Sequence, residues 1–169
     1  MQLCKLGAAG VTFNYFLQKR RGVNPLSALM FSTMYAMMAY AVIQLIDPMW
    51  LDGLVFLPLI MLGIEYLVDD GRRLHFIIPL ALMCVANFYI GYMICIFVAL
   101  YFCFYLFFGT DRKMQGHEYV TVIARVAYSS VIALACAAFM ILPVYNALKL
   151  GKFEFTDPDY SFRFQSFPL

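Results

Sequence analysis

Residues 74–108 read LHFIIPLALMCVANFYIGYMICIFVALYFCFYLFF, a run of 35 residues without Asp, Glu, Lys or Arg. An upright transmembrane helix needs about 20 predominantly apolar residues, so this run is too long for one helix and slightly short for two full spans. The polar, glycine-containing segment NFYIGY at residues 87–92 divides the run, and Asn and Gly favour turns. The sequence therefore predicts a helix, a tight turn at or within the membrane interface and a returning helix.

The composition of the whole chain points to the same class of protein. Apolar residues make up 64 % of the sequence and charged residues 13 %, whereas a soluble domain is about half apolar and about a quarter charged. At membrane depth every backbone N–H and C=O needs an internal partner, which helices supply locally and closed barrels supply between short alternating strands. The apolar runs here are continuous, so the sequence predicts an all-α, polytopic transmembrane helical bundle.

Apolar stretches on both sides of this run complete the predicted membrane region. They cover residues 6–17, 27–46, 48–68 and 120–148. Together with residues 74–108 they predict about six apolar helices within residues 1–150. Residues 151–169 differ, because aromatic and polar side chains alternate there. We interpret this tail as an extracytoplasmic interfacial segment and expect the chain to continue beyond it.

Basic residues indicate the orientation of the helices. Three loops, each two spans after the previous one, carry the basic residues Lys19, Arg20, Arg21, Arg72, Arg73, Arg112 and Lys113. If the spans alternate in direction, these charges share one side, which the positive-inside rule assigns to the cytoplasm. The loop at 47–52, the turn at 87–92 and the tail then face outward. The loops at 47–52 and 87–92 carry no basic residue, and that side carries fewer of them overall: Lys5, Lys149, Lys152 and Arg163.

The outward loop at residues 47–52 reads DPMWLD and contains the only tryptophan of the chain. Trp50 fits either ordinary anchoring at the level of the lipid headgroups or contact with a substrate. Asp47 is predicted to cap a helix that starts at Pro48. Asp52 lies about one turn into the span, where an unpaired carboxylate is costly. Asp52 is therefore a candidate to face a water-filled cavity and bind a hydroxyl, a metal or another cation there.

The turn at residues 87–92 places Asn87, Tyr89 and Tyr92 close together beside the membrane. Asn and Gly are ordinary turn residues, so the segment can be a turn and nothing more. Asn and Tyr side chains also hydrogen-bond sugars and phosphates, and aromatic faces stack on sugar rings. We interpret these three residues, together with Trp50, as candidate substrate-binding residues.

The remaining carboxylate within the spans has a structural explanation. Glu65 lies near the cytoplasmic end of its span, where it is predicted to pair with Arg72 or Arg73 or to reach the interface.

We interpret the methionine and cysteine side chains as packing residues and not as metal ligands or disulfides. Met30, Met34 and Met37 share one helical face, which is typical of packing, and a path for copper is the alternative. The cysteines lie in apolar segments without CxxC spacing and are interpreted as small buried hydrophobes, with disulfides or a metal site as the alternative: Cys4, Cys84, Cys95, Cys103 and Cys136. The sequence contains no zinc spacing, phosphate-binding glycine loop or Ser/His/Asp arrangement, and no metal ligand is assigned.

Two motifs resemble a known family. MWLDGLVFLPLIMLGIEYL at residues 49–67, followed by NFYIGYM at residues 87–93, resembles the bacterial YfhO-like membrane protein family. The region from Phe16 to residue 36 and the DRK loop near Asp111 are similar to the family too, so the resemblance covers most of the chain. Family members often carry Asn or a similar residue before the Met-Trp pair, where this chain has Pro48.

The resemblance implies an early portion of a GT-C-type glycosyltransferase architecture, which makes this chain a partial GT-C-like membrane domain. It implies transfer of a sugar from a polyprenyl-phosphate donor, such as an undecaprenyl-phosphate sugar, to a cell-envelope polymer such as teichoic acid. The reaction would take place outside the bacterial plasma membrane. In such enzymes a carboxylate of the first extracytoplasmic loop acts as base or helps to hold a metal or the acceptor. That loop would precede Gln2, and a divalent metal ion is a possible cofactor.

Within this chain, Asp52 is the candidate catalytic residue, since a carboxylate can assist deprotonation of the acceptor hydroxyl. The departing lipid phosphate needs stabilisation by a cation, for which the sequence offers Lys149, Lys152 and Arg163.

Two other classes of function remain open. A permease or transporter subunit should have polar residues facing each other at mid-membrane depth, and such residues are few here: Ser32, Thr33, Ser129 and Ser130. A non-catalytic membrane scaffold would be favoured if the outward patches proved dispensable. The net charge of +2 does not suggest a nucleic-acid partner.

Overall fold

A computed structural model describes residues 2–109 and 116–151 of the chain, which are almost entirely helical and contain no strand. Within these ranges the α-helices are α1 Gln2–Arg21, α2 Pro25–Ala36, α3 Ala39–Ile43, α4 Asp52–Asp69, α5 Leu74–Ala86, α6 Phe88–Phe104, α7 Gly116–Cys136 and α8 Ala138–Gly151. A 3-10 turn at Pro48–Leu51 precedes α4, and a π-helical turn at Tyr105–Gly109 extends α6. The prediction of an all-α helical bundle is confirmed.

Three helical stretches of the described chain are long and apolar enough to cross a membrane, namely Met49–Asp69, Phe88–Gly109 and His117–Cys136. The apolar helix α5 is shorter. Large apolar side chains cover much of the outer surface, including Leu100 and Phe107. Lipid tails can cover such a surface, whereas water would penalise it.

Two of the predicted spans are each divided into two helices. The predicted span at residues 27–46 breaks after α2, because Met38 adopts an extended backbone with φ −60° and ψ 154°. Tyr35 and Met38, beside the break, pack against a small core formed by α1, α3 and the residues around the start of α4. The Tyr35 hydroxyl donates to the Leu54 carbonyl at 2.9 Å. The predicted span at 120–148 divides at Ala137, which separates α7 from α8.

The predicted turn at residues 87–92 is shorter than expected. Only Asn87 leaves the helical conformation, and α6 starts at Phe88. Tyr89 and Tyr92 therefore belong to the first turns of a helix. The tail after Gly151 and the loop with Arg112 and Lys113 lie outside the described residues.

Helix α4 is the centre of the bundle, since it packs against α1, α5, α6 and α7. The α4–α5 contact is very close at Gly63, where an added Cβ would lie 2.6 Å from the Phe76 Cα. Helices α1 and α4 run in the same direction, because Lys5 meets Asp52 at one end and Arg20 meets Asp69 at the other. We call these the tryptophan end, which carries Trp50, and the arginine end, which carries Arg20.

Candidate functional site

The tryptophan end contains an ion pair between the first turns of two helices. Lys5 Nζ of α1 lies 2.6 Å from Asp52 Oδ1 of α4. Both side chains keep about a fifth of their surface exposed, at 21 % and 20 %. Asp52, the candidate catalytic residue, is therefore an accessible carboxylate with a cationic neighbour. Sequence reasoning placed Lys5 on the same side of the membrane but did not connect it with Asp52.

The aspartate at the start of this loop holds the predicted position, but its side chain has another partner. Asp47 makes no side-chain capping hydrogen bond, and α4 starts at Asp52 instead of Pro48. The Trp50 indole N–H donates to Asp47 Oδ2 at 3.0 Å. Asp47 does hold the N-cap position before Pro48, but its side chain does not cap, because the 3-10 turn brings the indole N–H to that carboxylate. Trp50 also packs against the main core, so its ring is held on two sides.

Asn87 joins the two sequence motifs at the tryptophan end. Its Oδ1 accepts from the Ile90 backbone N–H at 3.2 Å, which caps α6, and its Nδ2 donates to the Met49 carbonyl at 3.2 Å. Because Asn87 is only 8 % exposed, these two bonds use both ends of a buried amide. The sequence placed the 47–52 loop and the 87–92 segment on one side of the membrane, and the structure brings them into direct contact. Contact of Asn87 with a substrate stays a prediction.

Tyr89 and Tyr92 lie on the outer side of α6. They are 53 % and 63 % exposed, respectively. Ile90, between them, faces α4, where an added Cβ on Gly53 would lie 2.7 Å from Ile90 Cγ2. The helix thus directs the two tyrosines away from the α4 contact, and their predicted role in substrate binding depends on a ligand that lies along this outer surface.

The described donor groups at the tryptophan end do not fit a divalent metal. Asp52 is paired with Lys5, and Asp47 Oδ2 accepts the indole N–H. Among the described residues, no three His, Cys, Asp or Glu side chains come close enough together to hold a metal ion. We therefore derive no step through a metal. Of the other predicted cations, Lys149 lies in the last turn of α8, and Lys152 and Arg163 lie outside the described residues.

The arginine end contains a charge network that the sequence reasoning missed. Glu65 is 1 % exposed and accepts from Arg20 Nε at 2.7 Å and from Arg21 Nη2 at 2.9 Å. The Tyr101 hydroxyl donates to the same carboxylate at 2.5 Å. The predicted pairing of Glu65 with Arg72 or Arg73 is wrong. Helix packing instead brings the end of α1, more than 40 residues away in sequence, against α4.

A second layer of this network surrounds Asp69. Arg20 Nη2 donates to Asp69 and, at 2.8 Å, to the Tyr105 hydroxyl, which itself donates to Asp69 Oδ2 at 2.7 Å. Burial alone would lower the pKa of Arg20, but the hydrogen bonds to Glu65 and Asp69 outweigh it and raise that pKa above its ordinary value. One signal in the sequence could have revealed the network. Two pairs are each spaced four residues apart: Glu65 and Asp69 on α4, and Tyr101 of α6 with Tyr105 of the π-helical turn that extends it.

Arg125 is another charged residue that the sequence reasoning passed over. It lies within the apolar stretch His117–Cys136. Its guanidinium reaches the loop after α4, since an added Cβ on Gly71 would lie 2.8 Å from Arg125 Nη1. Arg125 also lines a polar cavity of about 340 Å³ with Asp70 and Thr121. A long side chain that reaches polar surroundings explains how a span tolerates this charge.

Comparison with known proteins identifies the family. A family model described as bacterial membrane protein YfhO matches residues 1–169, the whole chain. No curated protein and no solved structure matches the chain significantly. The family match agrees with the resemblance of the two motifs that meet at the tryptophan end. The chain belongs to the YfhO family of bacterial membrane proteins.

Proposed function

We propose that the protein is a membrane glycosyltransferase that moves a sugar from a polyprenyl-phosphate-linked donor to a cell-envelope polymer. The observation that carries this proposal is the partly exposed carboxylate of Asp52 at the tryptophan end, 2.6 Å from a lysine. The family to which the chain belongs and the membrane-spanning character of its helices support a lipid-linked donor, because the reacting group of such a donor lies at the membrane surface.

The chemistry requires a proton acceptor beside the acceptor hydroxyl. As the hydroxyl oxygen attacks the anomeric carbon, the bond from that carbon to the phosphate oxygen breaks, and the electron pair leaves with the polyprenyl phosphate. The hydroxyl proton moves to a base, and positioned general bases of this kind typically contribute about 10²–10⁴-fold to a rate. Asp52 is proposed as that base, and the ammonium of Lys5 lies 2.6 Å from one of its oxygens.

The surroundings of Asp52 support a sugar-binding surface. Trp50 lies two residues before Asp52 and is held by Asp47 and by the core. A fixed aromatic ring can stack on a sugar with little loss of conformational entropy. We propose Trp50 as the stacking residue, with Asn87, Tyr89 and Tyr92 as further contacts along the same end of the bundle.

We further propose that the tryptophan end faces the outside of the plasma membrane of a multi-pass protein. The arginine end of the described chain carries the basic residues Lys19, Arg20, Arg21, Arg72 and Arg73. The positive-inside rule supports a cytoplasmic location for that end. Polymers of the cell envelope lie outside, so the acceptor would approach the tryptophan end.

The alternative of a permease or transporter draws less support from the described residues. The mid-span hydroxyl groups donate to backbone carbonyls of their own helices, three or four residues earlier: Ser32, Thr33, Ser129 and Ser130. Asn14 Nδ2 does reach across to Ser32 Oγ, at 3.4 Å. One such contact does not make the polar pathway that a transported solute needs.

The test is transfer of labelled sugar from a polyprenyl-phosphate donor by membranes that contain the full-length protein. Replacing Asp52 by Asn should lower the transfer rate by about 10²-fold or more, because the general base is lost. Asp70→Asn is a suitable control, since Asp70 is an exposed carboxylate at the opposite end, and it should keep the wild-type rate. Equal rates for Asp52→Asn and wild type would remove Asp52 from the mechanism.

A further inference from the structure

We propose that Lys5 binds the phosphate of the donor lipid, so that Lys5 and Asp52 form one two-residue site at the tryptophan end. This inference rests on the proposed glycosyl transfer and assigns it a second residue. Sequence reasoning looked for the phosphate-binding cation on α8 and in the tail, and the structure offers a different one in contact with the candidate base.

The position of Lys5 supports this role. Lys5 lies in the first turn of α1 and Asp52 in the first turn of α4, so both side chains are at the same level of two parallel helices. A lipid phosphate lies at the headgroup level, where helices of this bundle begin and end. Helix α8, which carries Lys149, packs chiefly on α5 and α7. Lys5 already contacts Asp52, so the two residues can act together without any movement of helices.

The charge change in the reaction favours a cation at this point. A polyprenyl-phosphate sugar is a phosphodiester with one negative charge, whereas the departing polyprenyl phosphate is a monoester that gains a second charge as the glycosidic bond breaks. A cation beside the phosphate therefore binds the transition state more strongly than the donor. A lysine ammonium is a compact point charge suited to phosphate oxygens.

The ion pair also suggests an order of events. Lys5 has a flexible stem of four carbons and can turn from one anionic partner to another. When the donor phosphate attracts the Lys5 ammonium, the Asp52 oxygen that faced Lys5 becomes accessible to the acceptor hydroxyl. Arrival of the donor would then expose the base, and without donor the ion pair would keep that oxygen occupied.

A purely structural role for Lys5 makes a different prediction. In that case the ion pair only joins α1 to α4, and its loss would lower stability without changing affinity for phosphate. A partly exposed pair of this kind contributes little to stability. Binding of a polyprenyl phosphate without any sugar separates the two roles, because it measures phosphate recognition and does not depend on catalysis.

The experiment measures binding of undecaprenyl phosphate to the full-length protein in phosphatidylcholine nanodiscs. Lys5→Met should weaken binding about tenfold or more, the expected loss of a charge-assisted hydrogen bond. Lys5→Arg should restore most of the affinity, since the charge is kept. Lys19→Met is the matched control, because Lys19 is an exposed lysine at the other end of the same helix, and it should bind as wild type does.

Asp52→Asn provides an independent arm if Lys5→Met fails to fold. Removing the charge of Asp52 should tighten binding of undecaprenyl phosphate, because one anionic competitor for the ammonium is then gone. The proposal is overturned if wild type does not bind undecaprenyl phosphate, if folded Lys5→Met binds as wild type does, or if Asp52→Asn binds more weakly. If Asp52→Asn transferred sugar at the wild-type rate, Asp52 would not be the general base. That result would not affect the proposal that Lys5 binds phosphate.

Discussion

Glu65 has almost no exposed surface, and its surroundings explain how a carboxylate can be buried so deeply. Two guanidinium groups, from Arg20 and Arg21, and the Tyr101 hydroxyl bind its two oxygens. Removing a carboxylate from water costs several kcal/mol unless charges and hydrogen bonds replace the solvent. With Asp69 included, two acids face two arginines, so the network is close to neutral. Its effect is to join α1, α4 and α6 at one end.

Replacing Glu65 by Gln should therefore destabilise the protein strongly. The substitution keeps the shape of the side chain but removes the carboxylate that Arg20 and Arg21 share. Breaking a buried pair from one side costs about 3–5 kcal/mol. The free energy of unfolding of the detergent-solubilised protein, followed by circular dichroism, measures the loss.

Arg72→Gln is the matched control for this prediction. Arg72 is an exposed arginine at the same end, and its nitrogen lies 3.9 Å from Asp70. An exposed pair contributes under about 1 kcal/mol, so this variant should resemble wild type. If the two variants lost similar stability, the buried network would not be the one described.

At the scale of helices, α1 depends on its neighbours more than the three candidate spans do. It carries Lys5 near its start and three basic residues in its last turn. A charged residue in a span is tolerated when it pairs with a partner or reaches the interface. Both ends of α1 meet carboxylates of α4, at Asp52 and at Glu65. Packing on α4 thus explains how a helix of modest apolarity belongs to a membrane bundle.

Contact between α4 and α5 depends on a glycine, which leads to a prediction at the same scale. An Ala side chain at position 63 would place its Cβ 2.6 Å from the Phe76 Cα, a backbone atom that cannot move without shifting the helix. Gly63→Ala should lower the free energy of unfolding by about 1–3 kcal/mol, as overpacking does. The thermal midpoint in detergent gives a direct comparison among variants.

Gly7→Ala is the control for this substitution. Gly7 is also helical, but an added Cβ there meets nothing within 4 Å. The variant should be neutral or slightly more stable, because Ala exceeds Gly in helix propensity by about 1 kcal/mol. A thermal midpoint for Gly63→Ala equal to that of Gly7→Ala would contradict the close approach of α4 and α5.

At the scale of the whole molecule, the two ends of the bundle differ in chemistry. The arginine end combines a buried charge network with basic loops, and the tryptophan end combines aromatic residues with one accessible ion pair. This asymmetry supports a fixed orientation in the membrane, since basic loops are retained in the cytoplasm. The proposed site is then on the outer side.

Labelling of single cysteines tests this orientation. In a variant whose native cysteines are replaced, Ile46→Cys and Asp70→Cys introduce thiols at the tryptophan end and the arginine end, and Ile46 is 93 % exposed. A membrane-impermeant maleimide should label position 46 in right-side-out vesicles and position 70 in inside-out vesicles. The reverse pattern would place the proposed site in the cytoplasm and contradict transfer to an envelope polymer.

The helical class, the membrane character and the location of the two motifs at one end of the bundle were predictable from the sequence. Helix formation and partition into lipid depend on local composition, because each helical hydrogen bond joins residues four apart and each span carries its own apolar surface. Local capping and helix breaks were less predictable. The turn between α5 and α6 consists of Asn87 alone. Met38 breaks a helix in an apolar stretch that contains neither proline nor glycine. Such breaks depend on side-chain packing against other helices.

Only the tertiary structure decided which charges meet. Glu65 has arginines nearby in sequence but binds two that are 44 and 45 residues away, and Asp52 lies beside Lys5 at the far end of the same two helices. These pairings depend on how each helix is rotated about its axis and which neighbour it packs against. Composition sets neither quantity, whereas Coulomb attraction acts only between groups that packing has brought close together. The helices and the membrane thus follow from the sequence alone, and the candidate site follows from the arrangement of the helices.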